Sequence, residues 1–208
     1  NTQYRAVTPN DYTVRALSLP SKYGKLAKVY TEKAKASSNT GTNIDMYTLA
    51  FDNNSHLTTL NTTLKQNLIT YLSQFRTVGD SVAIKDAFVV NIALDFELIT
   101  LPNSNSADVL RRCIIALQIY FNILNWQINQ PIIMRDLNVL LDKIEGVQTV
   151  KNLYINNKNT NNSGASYSQY AYDTQGATLD GVLYPSIDPM IFEVKYPNSD
   201  ITGRIVNL

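Results

Sequence analysis

Apolar and polar residues alternate most cleanly between Ala87 and Ile99, where Phe88, Val90, Ile92, Leu94, Phe96 and Leu98 take every second position. A period of two sets all six on one face of a β-strand and turns Asn91, Asp95 and Glu97 the other way. The segment Val78-Gly79-Asp80-Ser81-Val82-Ala83-Ile84 leads into this run. Upstream, Leu57, Leu60, Leu64, Leu68, Tyr71, Leu72 and Phe75 recur at helical spacing, predicting a helix capped by Ser55 and ending near Phe75. Its outer face is rich in Thr and Asn, which are poor helix formers, so this helix must rely on packing. The expectation is one core, with the strand face resting on Leu60, Leu64, Leu68 and Leu72.

A second helix is predicted from Ser106 or Asp108 to Trp126. Arg111, Gln118, Asn122 and Asn125 form its single polar stripe, and apolar residues surround the rest of its circumference. Such a helix is either sandwiched within its fold or shared with a partner. A third spans Met134 to Ile144 and stops at Gly146. Strands are predicted at Lys25 to Ala34 and Ile44 to Phe51, joined by a Ser38-Asn39-Thr40-Gly41 hairpin loop, and again at Val147 to Ile155. A short helix from Asp11 to Leu19 is closed by Pro20. At Asn156 the composition shifts to Asn, Ser, Tyr and Gly, followed by short strand candidates at Val182 to Tyr184 and Met190 to Tyr196. The pattern predicts an α+β fold over residues 1–155, a mixed sheet covered by two or three helices, with a β-rich C-terminal arm over residues 156–208.

Composition narrows the function classes. A hydrophobic fraction of 44% among 208 residues supports a full core, and a net charge of +1 from scattered Lys and Arg argues against a nucleic-acid or anionic-membrane binder. The longest apolar stretch, Cys113 to Trp126, is interrupted by Gln118, Asn122 and Asn125 and is no membrane span. Cys113 is the single cysteine, so neither an internal disulfide nor a thiolate cluster can form. His56, the single histidine, falls at the expected start of a helix, and no glycine-rich phosphate loop is present. Asp95 and Glu97 are the best carboxylate pair: on alternate strand positions they point the same way, and can bind a divalent cation, share acid–base roles, or simply meet a polar surface. No catalytic constellation, cofactor motif or metal-ligand spacing emerges, and the expectation is a non-enzymatic protein. A chain opening on Asn1 rather than Met is expected to be a fragment of a longer one or the product of trimming.

Two features point to assembly. The over-apolar second helix exposes Ile115, Ile119, Ile123 or Trp126 unless something covers them. The arm carries Tyr167, Tyr170 and Tyr172, and the strand after it Met190, Phe192 and Tyr196. Tyr among Ser, Asn and Gly is the composition of adaptable binding loops. An arm laid across a neighbour predicts a homodimer; the alternative is a carbohydrate- or receptor-binding module that uses the tyrosines.

The ordered motifs also resemble a family. Ala6-Val7-Thr8-Pro9-Asn10-Asp11-Tyr12, then Val78-Gly79-Asp80-Ser81-Val82-Ala83-Ile84, then Ile144-Glu145-Gly146-Val147-Gln148-Thr149-Val150 resemble, in this order, the baseplate-J-like proteins of contractile phage tails. The tail from Ile187 to Gly203-Arg204 is similar to the carboxyl end of the large baseplate wedge protein of T-even-type phages. The resemblance implies a structural virion protein of the tail baseplate, made in the host cytoplasm. It implies a C-terminal portion of a wedge subunit that joins other baseplate subunits, with no catalytic residues to carry over.

Overall fold

The computed structural model describes residues 5–34 and 43–207, and its contacts separate into two units, Asn1–Phe88 and Val89–Leu208. The composition change at Asn156 falls inside the second unit.

In the first unit, Thr8-Pro9-Asn10-Asp11 starts helix α1 (Pro9–Leu17). Thr8 Oγ1 accepts from the Asp11 amide at 3.2 Å, while the Asp11 carboxylate accepts from the Thr8 amide at 2.8 Å. This reciprocal cap satisfies two donors that a helix start leaves over, and Pro9 sits where its missing N–H matters least. Strands β1 (Lys28–Lys33) and β2 (Asn43–Phe51) pair antiparallel as expected; the Ser38-Asn39-Thr40-Gly41 loop lies outside the described residues. Strand β3 (Leu57–Thr58) folds back on the end of β2. Its turn is set by Asp52 Oδ1, which accepts from the amides of Asn54 and His56 at 2.8 and 2.9 Å. Ser55, at φ 65°, is therefore a turn residue rather than a helix cap.

The helix begins later, as α2 (Thr62–Ser73), with Asn61 Oδ1 accepting from the Leu64 amide at 2.7 Å. Local side-chain chemistry at Asp52 and Asn61 outweighs the apolar period at Leu57. Strand β4 (Ser81–Asp86) lies parallel beside β2. The expected partner of the leucine stripe is corrected here: Leu60, Leu64, Leu68 and Leu72 cluster with Tyr12, Ala16, Leu26, Ile44 and Met46. Those residues come from α1, β2 and the approach to β1, not from the alternating strand.

The second unit is built around that strand, β5 (Phe88–Thr100). Val90, Ile92, Leu94, Phe96 and Leu98 are buried, as the alternation predicts, while Phe88 is only half-buried and Asn91 and Ala93 on the opposite face are buried as well, where the arm bonds to Asn91. Helix α3 (Ser106–Tyr120) follows, then β6 (Ile132–Ile133), α4 (Met134–Asp142) and β7 (Val147–Lys158). After them come a single turn α5 (Thr160–Ser163), β8 (Thr178–Leu179), β9 (Val182–Leu183), β10 (Met190–Glu193), a single turn α6 (Pro197–Asp200) and β11 (Ile201–Ile205). β7 runs antiparallel to β5, β11 runs parallel to it, and β10 also bonds to it. α3 packs on β11, α4 packs on β7, and the two helices touch each other. The result is the mixed, helix-covered sheet of an α+β fold. α3 ends six residues before the expected Trp126, because Asn122 Oδ1 captures the Leu124 amide at 3.0 Å and turns the chain.

Candidate assembly surfaces and the polar face of the second sheet

Register places the carboxylates of β5 in two cross-strand rows. Asp95 stands between Tyr154 of β7 and Thr202 of β11, and Glu97 between Asn152 and Arg204. Asn156 donates to Asp95 at 2.9 Å and Thr202 donates to its other oxygen. Asn152 donates to Glu97 at 2.6 Å, and the Arg204 guanidinium grips the second Glu97 oxygen, with Nε at 2.8 Å. The hydrogen bonds from Arg204, then from Asn152, hold the Glu97 carboxyl below its ordinary value of 4.5. Between the rows lies a groove of ≈400 Å³ lined by Asp95, Phe96, Glu97, Tyr154, Thr202, Gly203 and Arg204. The two carboxylates do share a face, and their oxygens serve to cross-link three strands.

The other candidates for chemistry are scattered. His56 sits in the β2–β3 turn of the first unit, 3.6 Å from the Asp52 carboxylate. The Cys113 thiol is buried on the inner face of α3, and desolvation pushes it up to about 11, far from a reactive thiolate. Among the described residues no three His, Cys, Asp or Glu side chains converge as a metal site would require.

The ten residues expected at an interface divide into three groups. Ile115 and Ile119 stand exposed on the outer face of α3, at 40% and 66%, because the helix buries only Val109, Cys113 and Leu117. Ile123 is half-buried in the turn beyond. Trp126, Met190 and Phe192 are buried and offer no surface, a correction to the sequence reading. Trp126 packs against Tyr120 and Phe121, and every residue of β10 is buried.

The arm tyrosines form the third group, and the arm lies on its own chain. Tyr167 donates to the buried Asp200 carboxylate at 2.7 Å and meets the Tyr196 ring edge-on at 5.5 Å. Tyr172 meets Phe192 edge-on at 5.7 Å and donates to the Tyr184 carbonyl at 2.6 Å. Tyr170 is half-buried, its amide bonded to Ser168 Oγ. Fully buried Asn91 is the central clamp: it accepts from the Ser168 amide at 2.7 Å and donates to buried Glu193 at 2.8 Å.

A further apolar surface escaped the sequence reading. β9 pairs with both β6 and β8, so Ile133, Val182 and Leu179 form one row across a small sheet. Ile132 and Leu183 are buried on its other face, while Leu179 is 62% exposed. The signal was Asp180-Gly181, both at positive φ, a two-residue hairpin dipeptide between short apolar pairs.

No family model and no curated protein matches this sequence. Its fold, however, is shared. The chain is similar to one in the cryo-EM structure of the anti-feeding prophage (AFP) baseplate, sixfold symmetrised, with a TM-score of 0.54 and 12% sequence identity. The match covers 92% of this chain and 38% of the other. This chain thus spans well under half the length of its structural neighbour, and the likeness extends through both units and the arm.

Proposed function

We propose that this chain is a structural, non-enzymatic part of a contractile-tail-type baseplate, within a wedge subunit that associates with itself and with other baseplate proteins. The observation that carries the reading is the fold shared over 92% of the chain with a component of the AFP baseplate. The ordered motifs at Ala6–Tyr12, Val78–Ile84 and Ile144–Val150 point the same way. Exposed Ile115 and Ile119 supply apolar surface of the kind that subunits bury against each other. The carboxylates of β5 are engaged as structural acceptors, which fits a scaffold better than a catalyst.

Antibodies raised against the chain and visualised by gold labelling should mark the distal end of tail particles made by the source that encodes it. Label absent from that end overturns the baseplate assignment. Self-association is a separate question, read by light scattering at micromolar concentration: a dimer is expected, and a clean monomer removes that part alone.

A further inference from the structure

The groove on the polar face of the second sheet has an imbalance of charge that its own residues do not correct. Its lining holds two carboxylates, Asp95 and Glu97, against one guanidinium, Arg204, leaving one negative charge in excess. Arg204 is paired with Glu97, and Lys151 acts on Glu97 from outside the lining. Among the described residues the hydrogen bonds to Asp95 come from neutral donors, Asn156 Nδ2 and Thr202 Oγ1, one on each oxygen, and Arg204 acts on it without bonding to it. A carboxylate has about four lone-pair positions, so roughly two of those on Asp95 stay open. Beside it on β7, Tyr154 is 52% exposed and presents an aromatic ring to the same groove.

We infer that this groove receives an arginine side chain from a partner polypeptide, its guanidinium paired with Asp95 and stacked on Tyr154. A planar fork of donors suits both contacts, since it can bond a carboxylate and lie on an aromatic face together, which an ammonium does poorly. The groove of ≈400 Å³ has room for such a side chain. Its walls are open, with the Arg204 side chain 74% exposed. Tight small-ligand sites bury most of the ligand's surface, so a free arginine probe binds this open groove only weakly, and a side chain anchored on a docked protein gains the missing cover from its own chain.

The test uses the intact chain, isotopically labelled, titrated with N-acetyl-argininamide and, in parallel, with its uncharged isostere N-acetyl-citrullinamide. Saturable NMR shifts are expected at the Tyr154 ring and at the Asp95 and Thr202 amides with the arginine probe. Binding should be about tenfold weaker with citrulline and after Asp95→Asn. Tyr154→Leu, a change at an exposed site, should weaken it while leaving the fold intact, as its unchanged amide spectrum would report. No saturable shift up to about 50 mM probe, or equal shifts from both probes or in Asp95→Asn, overturns the assignment.

Discussion

The α2 core of the first unit and the arm of the second are both held against sheets, but by different forces. In the first, four leucines at helical spacing meet Tyr12, Ala16, Leu26, Ile44 and Met46 in a cluster of carbon. In the second, residues 159–175 contribute little aliphatic surface and are fastened by directional bonds. Asn91 takes the Ser168 amide, Asp200 takes the Tyr167 hydroxyl, Asn157 Oδ1 takes the Tyr172 amide at 3.1 Å, and the Ile155 carbonyl takes Thr174 at 2.7 Å. Apolar packing tolerates adjustment because it is non-directional, whereas each of these bonds fails if its partner is lost. The arm's precision comes from polar groups that would be costly to leave unpaired in a buried setting.

Mutations separate the two modes, and the largest effect is expected in the apolar core. Leu68 is fully buried, and Leu68→Ala should cost about 2–5 kcal/mol in chemical denaturation, by lost transfer energy and the cavity left behind. A loss no greater than that of the exposed change Thr62→Ala would place the core elsewhere.

Overfilling comes next. Gly203 stands opposite Phe96 in the parallel register, and a Cβ there would collide with the ring's Cζ. Phe96 is buried and its ring is rigid, so Gly203→Ala should destabilise the second unit by about 1–3 kcal/mol. A melting temperature equal to that of the unsubstituted chain would contradict the close approach.

The arm should respond to loss of its clamp. Asn91→Ala strands the Ser168 amide and removes a donor to Glu193, costing about 1–3 kcal/mol. Faster amide hydrogen exchange should concentrate at residues 166–172 rather than spread through β5. Uniform acceleration across the strand would mean the clamp supports the sheet and not the arm.

The smallest effect is electrostatic. The Glu97 carboxyl is held below 4.5 by Arg204 and Asn152, so its contribution is complete above that ordinary value and disappears as pH falls through the lower folded value. Asp11 and Asp108 are depressed in the same sense, Asp11 by the amides of its helix cap and Asp108 by Arg111 and Arg112. Stability should therefore decline on acidification below about pH 4.5, and Glu97→Gln should shallow that decline. An unchanged acid limb in the Gln variant would show that the Arg204 pair contributes nothing measurable, as some exposed pairs do.

The strand edge shows how local and tertiary information combine. β7 is long, but the register skips Lys151 and Gln148, two bulges that bend it. Toward its other end, Thr174 and Asn162 bond to the carbonyls of Ile155 and Asn157. Bulges, a lysine and an overlying arm are the ordinary means of blunting an open edge. Lys151 is plain in the sequence, but neither the bulges nor the overlying arm is visible as a pattern in Val147 to Ile155, which reads simply as a strand that the structure extends to Lys158.

Sequence by itself determined the two most regular inward faces. The period of two over Phe88–Leu98 and the helical recurrence of Leu60, Leu64, Leu68 and Leu72 fixed those faces, because the backbone geometry of strand and helix imposes these repeats locally. It also set Asp95 and Glu97 on one face and left Ile115 and Ile119 exposed, whereas the helix ends were settled elsewhere, α1 starting at Pro9 behind Thr8 and α4 stopping at Asp142 before Gly146. Tertiary structure alone decided which surface each face meets: the leucine stripe joined β2 and α1 although the β5 face has the same character, since burial rewards apolar area without regard to its source. It alone decided that Trp126, Met190 and Phe192 are core, and that Tyr167 and Tyr172 are spent on Asp200 and Tyr184. Hydrogen bonds across 12 to 33 residues depend on where distant atoms come to rest, and no spacing along the chain encodes that.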